Sequence, residues 1–267
     1  MLDTIKEYMY YIVMSSCIKQ IYSVRIKIII LCVVSVFIIA ACASQSGGKS
    51  AVNYELAKVY LVPQGPTPGQ SGDFWQGLSG TVVNRHPWIG GPSDATGVFF
   101  LAADAKRLYV RAEIKDSAPQ LRPLDMDPAD AWNGTSLQMF FGTNLKRHAE
   151  YEDGDFNVAF WVVQEKPGDP SSLRVKAAKG RLLNERQYES AVVAWNKDSY
   201  IIEASFSLDM LGITKPFKDG QGVRCEFRIN HAKVGEDRSV IVNWRTSTDD
   251  AWRNPTTWSD GIVVKKQ

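Results

Sequence analysis

Cysteine is scarce in this chain and histidine scarcer. Beyond residue 42 only Cys225 remains, so the body of the chain cannot close an internal disulfide. Its place in the apolar run 223–229 marks it as a small buried hydrophobe. The histidines, His86, His148 and His231, stand in unrelated contexts without the glycines of a nucleophile elbow, which argues against Ser–His–Asp chemistry. Net charge is also lacking: setting aside the basic and acidic residues of positions 1–42 from totals of 31 and 29 leaves 27 of each sign. A neutral body does not point to nucleic acid or anionic lipid as the main partner, since both select basic surfaces. Acidic residues are plentiful, but none stands in a recognisable catalytic context. A glycoside hydrolase needs two carboxylates held roughly 5 to 10 Å apart in a cleft. Glu203 alternates with apolar neighbours and does not read as one of them.

The one long apolar run lies near the start. Arg25 and Lys27 precede residues 28–41, which are apolar except for Ser35 and end on Ile39-Ala40-Ala41-Cys42. A basic region, a short apolar core and small residues before the cut describe a secretory signal, too short for a comfortable membrane span. The ending resembles the lipobox of bacterial lipoproteins, which implies acylation of Cys42 and stable anchoring through two or more chains. Ala43 rather than Asp after the cysteine favours the outer membrane, by analogy with enterobacterial lipoproteins. Met14 would begin a more ordinary signal than Met1. Residues 43–53 are small and polar at first and read as a flexible tether. The expected division is therefore a signal over 1–42, a tether over 43–53 and one domain over 54–267.

That domain reads as short strands separated by Asn, Asp, Gly and Pro clusters. Residues 107–115 alternate apolar at even numbers and polar or amphipathic at odd ones, the pattern of a half-buried strand. Similar runs are 54–62, 97–103, 136–141, 156–163, 188–195, 200–206, 223–230, 240–244 and 261–265. Strands in this number and spacing predict an all-β, antiparallel β-sandwich of jelly-roll type. The longest irregular stretches, 63–72 and 118–131, are the expected site-building loops. No internal repeat and no second domain is visible.

Two tryptophans stand in matched, turn-rich contexts: Asp130-Ala131-Trp132-Asn133 and Asp250-Ala251-Trp252-Arg253-Asn254. A flat apolar ring held at a loop beside amides and carboxylates suits a pyranose, whose C–H face stacks while its hydroxyls bond the polar neighbours. The alternative is that each ring plugs an open end of the sandwich core.

Five segments, in order, resemble family 9 carbohydrate-binding modules, first described as appendages of xylanases. They are Asp73-Phe74-Trp75; the strand Leu108-Tyr109-Val110-Arg111-Ala112-Glu113-Ile114-Lys115-Asp116; Trp132 followed by Ser136-Leu137-Gln138-Met139-Phe140; Tyr200-Ile201-Ile202-Glu203-Ala204; and Trp244 through Trp252-Arg253-Asn254-Pro255. The resemblance implies a non-catalytic module in which Trp132 and Trp252 sandwich a terminal sugar, and a structural role for Glu203. It also shows departures. The family's ligand-bonding glutamate falls on Gln138, the acid three residues before it on Thr135, the arginine of the next strand on Asn157, and an asparagine on Asp249. The aromatic pair is kept and the charged hydrogen-bonding set is changed, toward weaker neutral bonds.

Strand parity adds candidates. If Leu137, Met139 and Phe141 face the core, Gln138 faces away; if Phe156, Val158 and Phe160 point in, Asn157 and Trp161 point out. Trp161 is then a third aromatic for the site or a cover for a neighbouring strand. Arg228 either supplies the positive charge absent at 157 or is an ordinary solvated arginine. The acid-rich runs 125–130 and 152–155 could hold structural Ca²⁺, which family relatives carry, or be solvated turn acids. The expected partners are an oligosaccharide or polysaccharide, and a membrane through the lipid on Cys42. Two other readings stay open: a haem-binding sandwich with Met139 and His231 as ligands, and a surface lipoprotein that binds another protein.

Overall fold

The computed structural model describes residues 55–85, 95–164, 170–177, 188–232 and 240–266. The signal, Cys42 and the tether fall outside the described residues. The strands are β1 (Ala57–Leu61), β2 (Thr81–Val83), β3 (Ala95–Ala103), β4 (Arg107–Asp116), β5 (Arg122–Pro123), β6 (Ser136–Gly142), β7 (Asp155–Gln164), β8 (Pro170–Ala177), β9 (Tyr188–Trp195), β10 (Ser199–Ser207), β11 (Gly222–His231), β12 (Val240–Asn243) and β13 (Ser259–Lys265). They form one sheet in the order β5-β7-β6-β11-β13-β1-β3-β4-β10-β9, with β12 on β11, β2 on β3 and β8 on β7. The sheet curls until β8 lies beside β9, giving two layers around one core. The layers meet through aromatic pairs, Phe99 with Phe227 at 4.8 Å and Phe160 with Phe206 at 5.8 Å between ring centroids.

This is the expected all-β, jelly-roll-like sandwich, and the alternation read from the sequence decides which way each strand faces. Leu137, Met139 and Phe141 of β6, Phe156, Val158 and Phe160 of β7, and Cys225, Phe227 and Ile229 of β11 are buried in the shared core. Burial pushes the Cys225 thiol well above its usual range, as befits an inert core residue. Not every pairing is antiparallel: β1 runs parallel to both β13 and β3, and β5 runs parallel to β7. Period-two alternation places a strand's faces but is silent about its direction. β2 and β5 are too short to show alternation, and β8 opens on Pro170-Ser171-Ser172, a turn signal.

The outer faces of both layers are covered as well, which half-buried strands did not lead one to expect. Residues 63–80 lie over the β1–β3–β4 face, where Trp75 packs with Val62, Ala102 and Tyr109. Glu203 fixes this segment: its carboxylate accepts from the Gly69 N–H at 2.8 Å, the Ser71 hydroxyl at 2.5 Å and the Arg111 guanidinium at 2.6 Å. The structural role implied for Glu203 is therefore a loop clasp. Residues 118–135 and 244–258 cover the opposite outer face, on β6, β7 and β11.

Candidate functional site

That second face presents a grid of side chains. Across one row, Ala159 of β7 is paired with Gln138 of β6, Gln138 with Arg228 of β11, and Arg228 with Asn243 of β12. The next row is Asn157, Phe140 and Glu226. Rows on one face are about 7 Å apart along a strand.

The two tryptophan loops dock on this grid by their alanines. Ala131 is buried with Ala159, Trp161 and Val163, and Met126 packs against the same cluster. Ala251 is buried with Phe140 and Trp258. Because Ala159 is directly opposite Gln138, and Phe140 lies two residues along β6, the anchor points are neighbours. The residue following each alanine then has nowhere to go but outward. Trp132 is 42% exposed and Trp252 53%, while Trp75, Trp161, Trp244 and Trp258 are all below 8%. Neither ring plugs the core.

Buried polar groups hold the second loop. The Glu226 carboxylate accepts from the backbone of Trp244 at 2.8 Å, Arg245 at 3.0 Å and Thr246 at 3.0 Å, and from the Thr246 hydroxyl at 3.0 Å. Burial raises the Glu226 pKa, and these N–H and O–H donors oppose the rise. Asn243 donates to the carbonyls of Thr246 and Thr248 at 2.9 and 3.0 Å. Arg228 donates to Asn243 at 3.0 Å and to Asp249 at 2.6 Å, and lies over the Phe140 ring. Trp258 Nε1 donates to the Ala251 carbonyl at 2.8 Å, and the Tyr151 hydroxyl to the Trp252 carbonyl at 3.1 Å. Burial and then the Asp155 charge push the Tyr151 hydroxyl upward, so it stays protonated, while the Asn157 amide donates to it. The first loop rests on shorter-range bonds: Asp127 caps the turn Pro128–Asp130, and Thr135 Oγ1 accepts from the Gln120 N–H at 2.9 Å. Gly134 has φ of 136°, and any side chain there would meet the Arg122 guanidinium.

Gln138, Asn157, Arg228 and Asp249 are thus brought onto one face with the two tryptophan loops. Gln138 is only 4% exposed, and the Oε1 of Gln138 and Oδ1 of Asn157 are buried without a hydrogen-bond partner. Two expectations are corrected. Trp161 points outward by parity but is 3% exposed beneath Ala131 and Met126, so it supports the first loop and offers no open ring. Arg228 is no solvated arginine: it is 1% exposed and joins the sheet to the second loop through Asp249.

The haem reading does not hold either. Met139 is paired with Phe227 and fully buried in the apolar core, packed as an ordinary core residue. His231 Nδ1 is instead 2.8 Å from the buried Asp116 carboxylate. Three of the acids proposed for Ca²⁺ have other partners. Asp127 caps its turn, Glu152 accepts from Asn144, and Asp155 meets Arg224 and His148. Among the described residues no three acids, histidines or cysteines gather as metal ligands.

Tyr151, Glu226, Asn243 and the two alanines were not anticipated. Only Glu226 left a trace, as one of the alternating polar residues Arg224, Glu226, Arg228 and Asn230 within an otherwise apolar strand. Tyr151→Phe would strand the Trp252 carbonyl and the Asn157 amide. An expected loss of about 1–2 kcal/mol should be seen in urea unfolding; no loss would show that the hydroxyl bonds are idle.

Comparison with known proteins agrees with this architecture. Residues 69–266 match the family described as "Carbohydrate family 9 binding domain-like". Endo-1,4-beta-xylanase C of Paenibacillus barcinonensis is 23% identical over 227 residues, 84% of this chain but 19% of that enzyme. Endo-1,4-beta-xylanase A of Thermotoga neapolitana is 25% identical over 174 residues, 64% of this chain and 14% of the enzyme. The chain thus spans about a fifth or less of these relatives. Two structures of a family 9 carbohydrate-binding module from Caldicellulosiruptor kristjanssonii share the fold. The glucose complex has a TM-score of 0.58 at 20% identity, covering 79% of this chain and 97% of that one. The cellotriose complex has a TM-score of 0.59 at 19% identity, covering 79% and 95%. The chain belongs to the family 9 carbohydrate-binding domains, and the domain described here is a non-catalytic binding module.

Proposed function

We propose that the domain holds a sugar residue between Trp132 and Trp252, with Gln138 and Asn157 bonding its hydroxyls from the sheet beneath. One observation carries this: two exposed tryptophans follow buried alanines seated at neighbouring points of one face, with unpartnered amide oxygens between them. Those oxygens accept, and sugar hydroxyls donate. The carboxylates of this face, Glu226 and Asp249, are spent on backbone amides and on Arg228, which leaves recognition to rings and neutral amides. The module from C. kristjanssonii with glucose or cellotriose supports a neutral gluco-configured ligand. Titrating the full chain in detergent with cellotriose should give saturable quenching of tryptophan fluorescence. An unchanged spectrum, with no heat of binding, would overturn the reading.

We further propose that Cys42 is acylated and that the module is held at the bacterial envelope, in the outer membrane or at the cell surface. There it keeps oligosaccharide or polysaccharide near separate enzymes or transporters. The lipobox ending on Ile39-Ala40-Ala41-Cys42 supports this. Expressed in a bacterium, the full chain should partition into the detergent phase, and Cys42→Ser should move it to the aqueous phase. A serine variant that remains lipid-modified would refute the anchor.

A further inference from the structure

A second concavity lies away from the tryptophan loops, against the outer faces of β1 and β13. Lys58, Tyr60, Leu78, Val264, Lys265 and Lys266 line it, with Gln76 and Gly77 at its rim, and its volume is about 410 Å³. That is within the roughly 300–1,000 Å³ of small-molecule sites. None of its residues belongs to β6, β7 or β11.

Its construction follows from register. Lys58 is paired with Ile262 and Tyr60 with Val264, so Lys58 and Tyr60 alternate onto the outer face of β1 beside Val264 of β13. The turn at 76–78 closes one side, because the Ser79 N–H donates to the Tyr60 hydroxyl at 3.0 Å. Lys266 is positioned: its ammonium donates to the Phe74 carbonyl at 2.7 Å and stands 4.3 Å over the Phe74 ring.

No carboxylate lines this hollow. The acids of adjoining segments are engaged otherwise, Asp73 with the Gln76 amide and Asp219 with the backbone N–H of Lys265. Three of its eight lining residues are lysines and none is acidic, an uneven distribution in a body with equal numbers of basic and acidic residues. Lysines gathered along one hollow repel each other, and an anion held among them relieves that repulsion. Lysine ammoniums read charge without the fixed geometry of a guanidinium, while Tyr60, Leu78 and Val264 supply an apolar wall of the kind a sugar ring covers with its C–H face.

We propose that this hollow is a second ligand site, taking a sugar ring that carries an anion, either a carboxylate or a phosphate. The site stands independently of the one between the tryptophans.

Isothermal titration of the full chain in detergent tests it, using glucuronate, glucose 6-phosphate, inorganic phosphate and glucose. The proteins compared are the wild type, a Lys58→Gln/Lys265→Gln/Lys266→Gln variant and a Trp132→Ala/Trp252→Ala variant. At least one anionic sugar should bind, with affinity falling about tenfold or more in the lysine variant and between about 50 mM and about 500 mM salt. Binding should persist in the tryptophan variant. A Lys58→Gln/Lys265→Gln variant, which keeps the Lys266 contacts, should show most of the loss if the fold is intact. Glucuronate against glucose 6-phosphate identifies the anion. The proposal is overturned if neither sugar binds, or if the lysine variants bind as well as wild type. It is equally overturned if anionic-sugar binding disappears with the tryptophans, or if inorganic phosphate binds as tightly as glucose 6-phosphate.

Discussion

Replacing Arg224 with leucine is expected to lower the unfolding free energy by about 3–5 kcal/mol, the range for breaking one side of a buried ion pair. Arg224 is completely buried on the outer face of β11. Its guanidinium donates to the Asn144 carbonyl at 2.6 Å, the Pro255 carbonyl at 3.0 Å and the Asp155 carboxylate at 3.2 Å, and it lies 5.6 Å over the Trp258 ring. Leucine recovers part of the packing on Trp258 but leaves the Asp155 side chain, itself 0% exposed, with His148 as its remaining side-chain partner. The same change frees the chain just beyond Trp252, so sugar binding should weaken along with stability. Urea unfolding of Arg224→Leu, Asp155→Asn and the double variant separates the terms. The double variant should lose less than the two single losses combined. A single-variant loss below about 1 kcal/mol would mean that the pair behaves like a surface salt bridge.

Removing both exposed tryptophans should abolish measurable sugar binding. Stacking and burial against a pyranose contribute about 1–3 kcal/mol per ring, so Trp132→Ala or Trp252→Ala should each weaken binding roughly tenfold or more. Stability should change far less, because both residues are about half exposed. Trp161→Ala is the contrasting variant: its ring is buried beneath the first loop, and truncation should cost about 3–5 kcal/mol. Gln138→Ala and Asn157→Ala should cost about 1 kcal/mol of binding each, as neutral hydrogen bonds. Cellotriose bound equally well by the double tryptophan variant would sink the sugar clamp.

Strand direction of side chains was legible because a period of two is a local property. Leu137, Met139 and Phe141 had to face one way and Gln138 the other, whatever the neighbouring strands did. The paired Asp-Ala-Trp segments were legible as loops for a similar reason: small and polar neighbours leave a tryptophan little to pack against within its own segment. Family likeness named Trp132, Gln138, Asn157, Asp249 and Trp252 as candidates, and their meeting on one face needed the sheet order.

Amino-acid order alone determined the fold class, the inward face of each longer strand and the placing of the two tryptophans in loops, since these depend on composition and spacing over a few residues. That the rings stay exposed was decided by how Ala131 and Ala251 dock. Tertiary structure decided what lies over the outer faces. Nothing near Trp161 in the chain announces that Ala131 will cover it, and nothing near Arg228 announces Asp249, 21 residues away, as its partner. It also decided that Lys58 and Lys266, at opposite ends of the domain, share one hollow, because parallel pairing of β1 with β13 lays the first strand beside the last. Burial and partnership of a polar side chain depend on which distant segment folds over it, a property of sheet order and loop docking that no local pattern encodes.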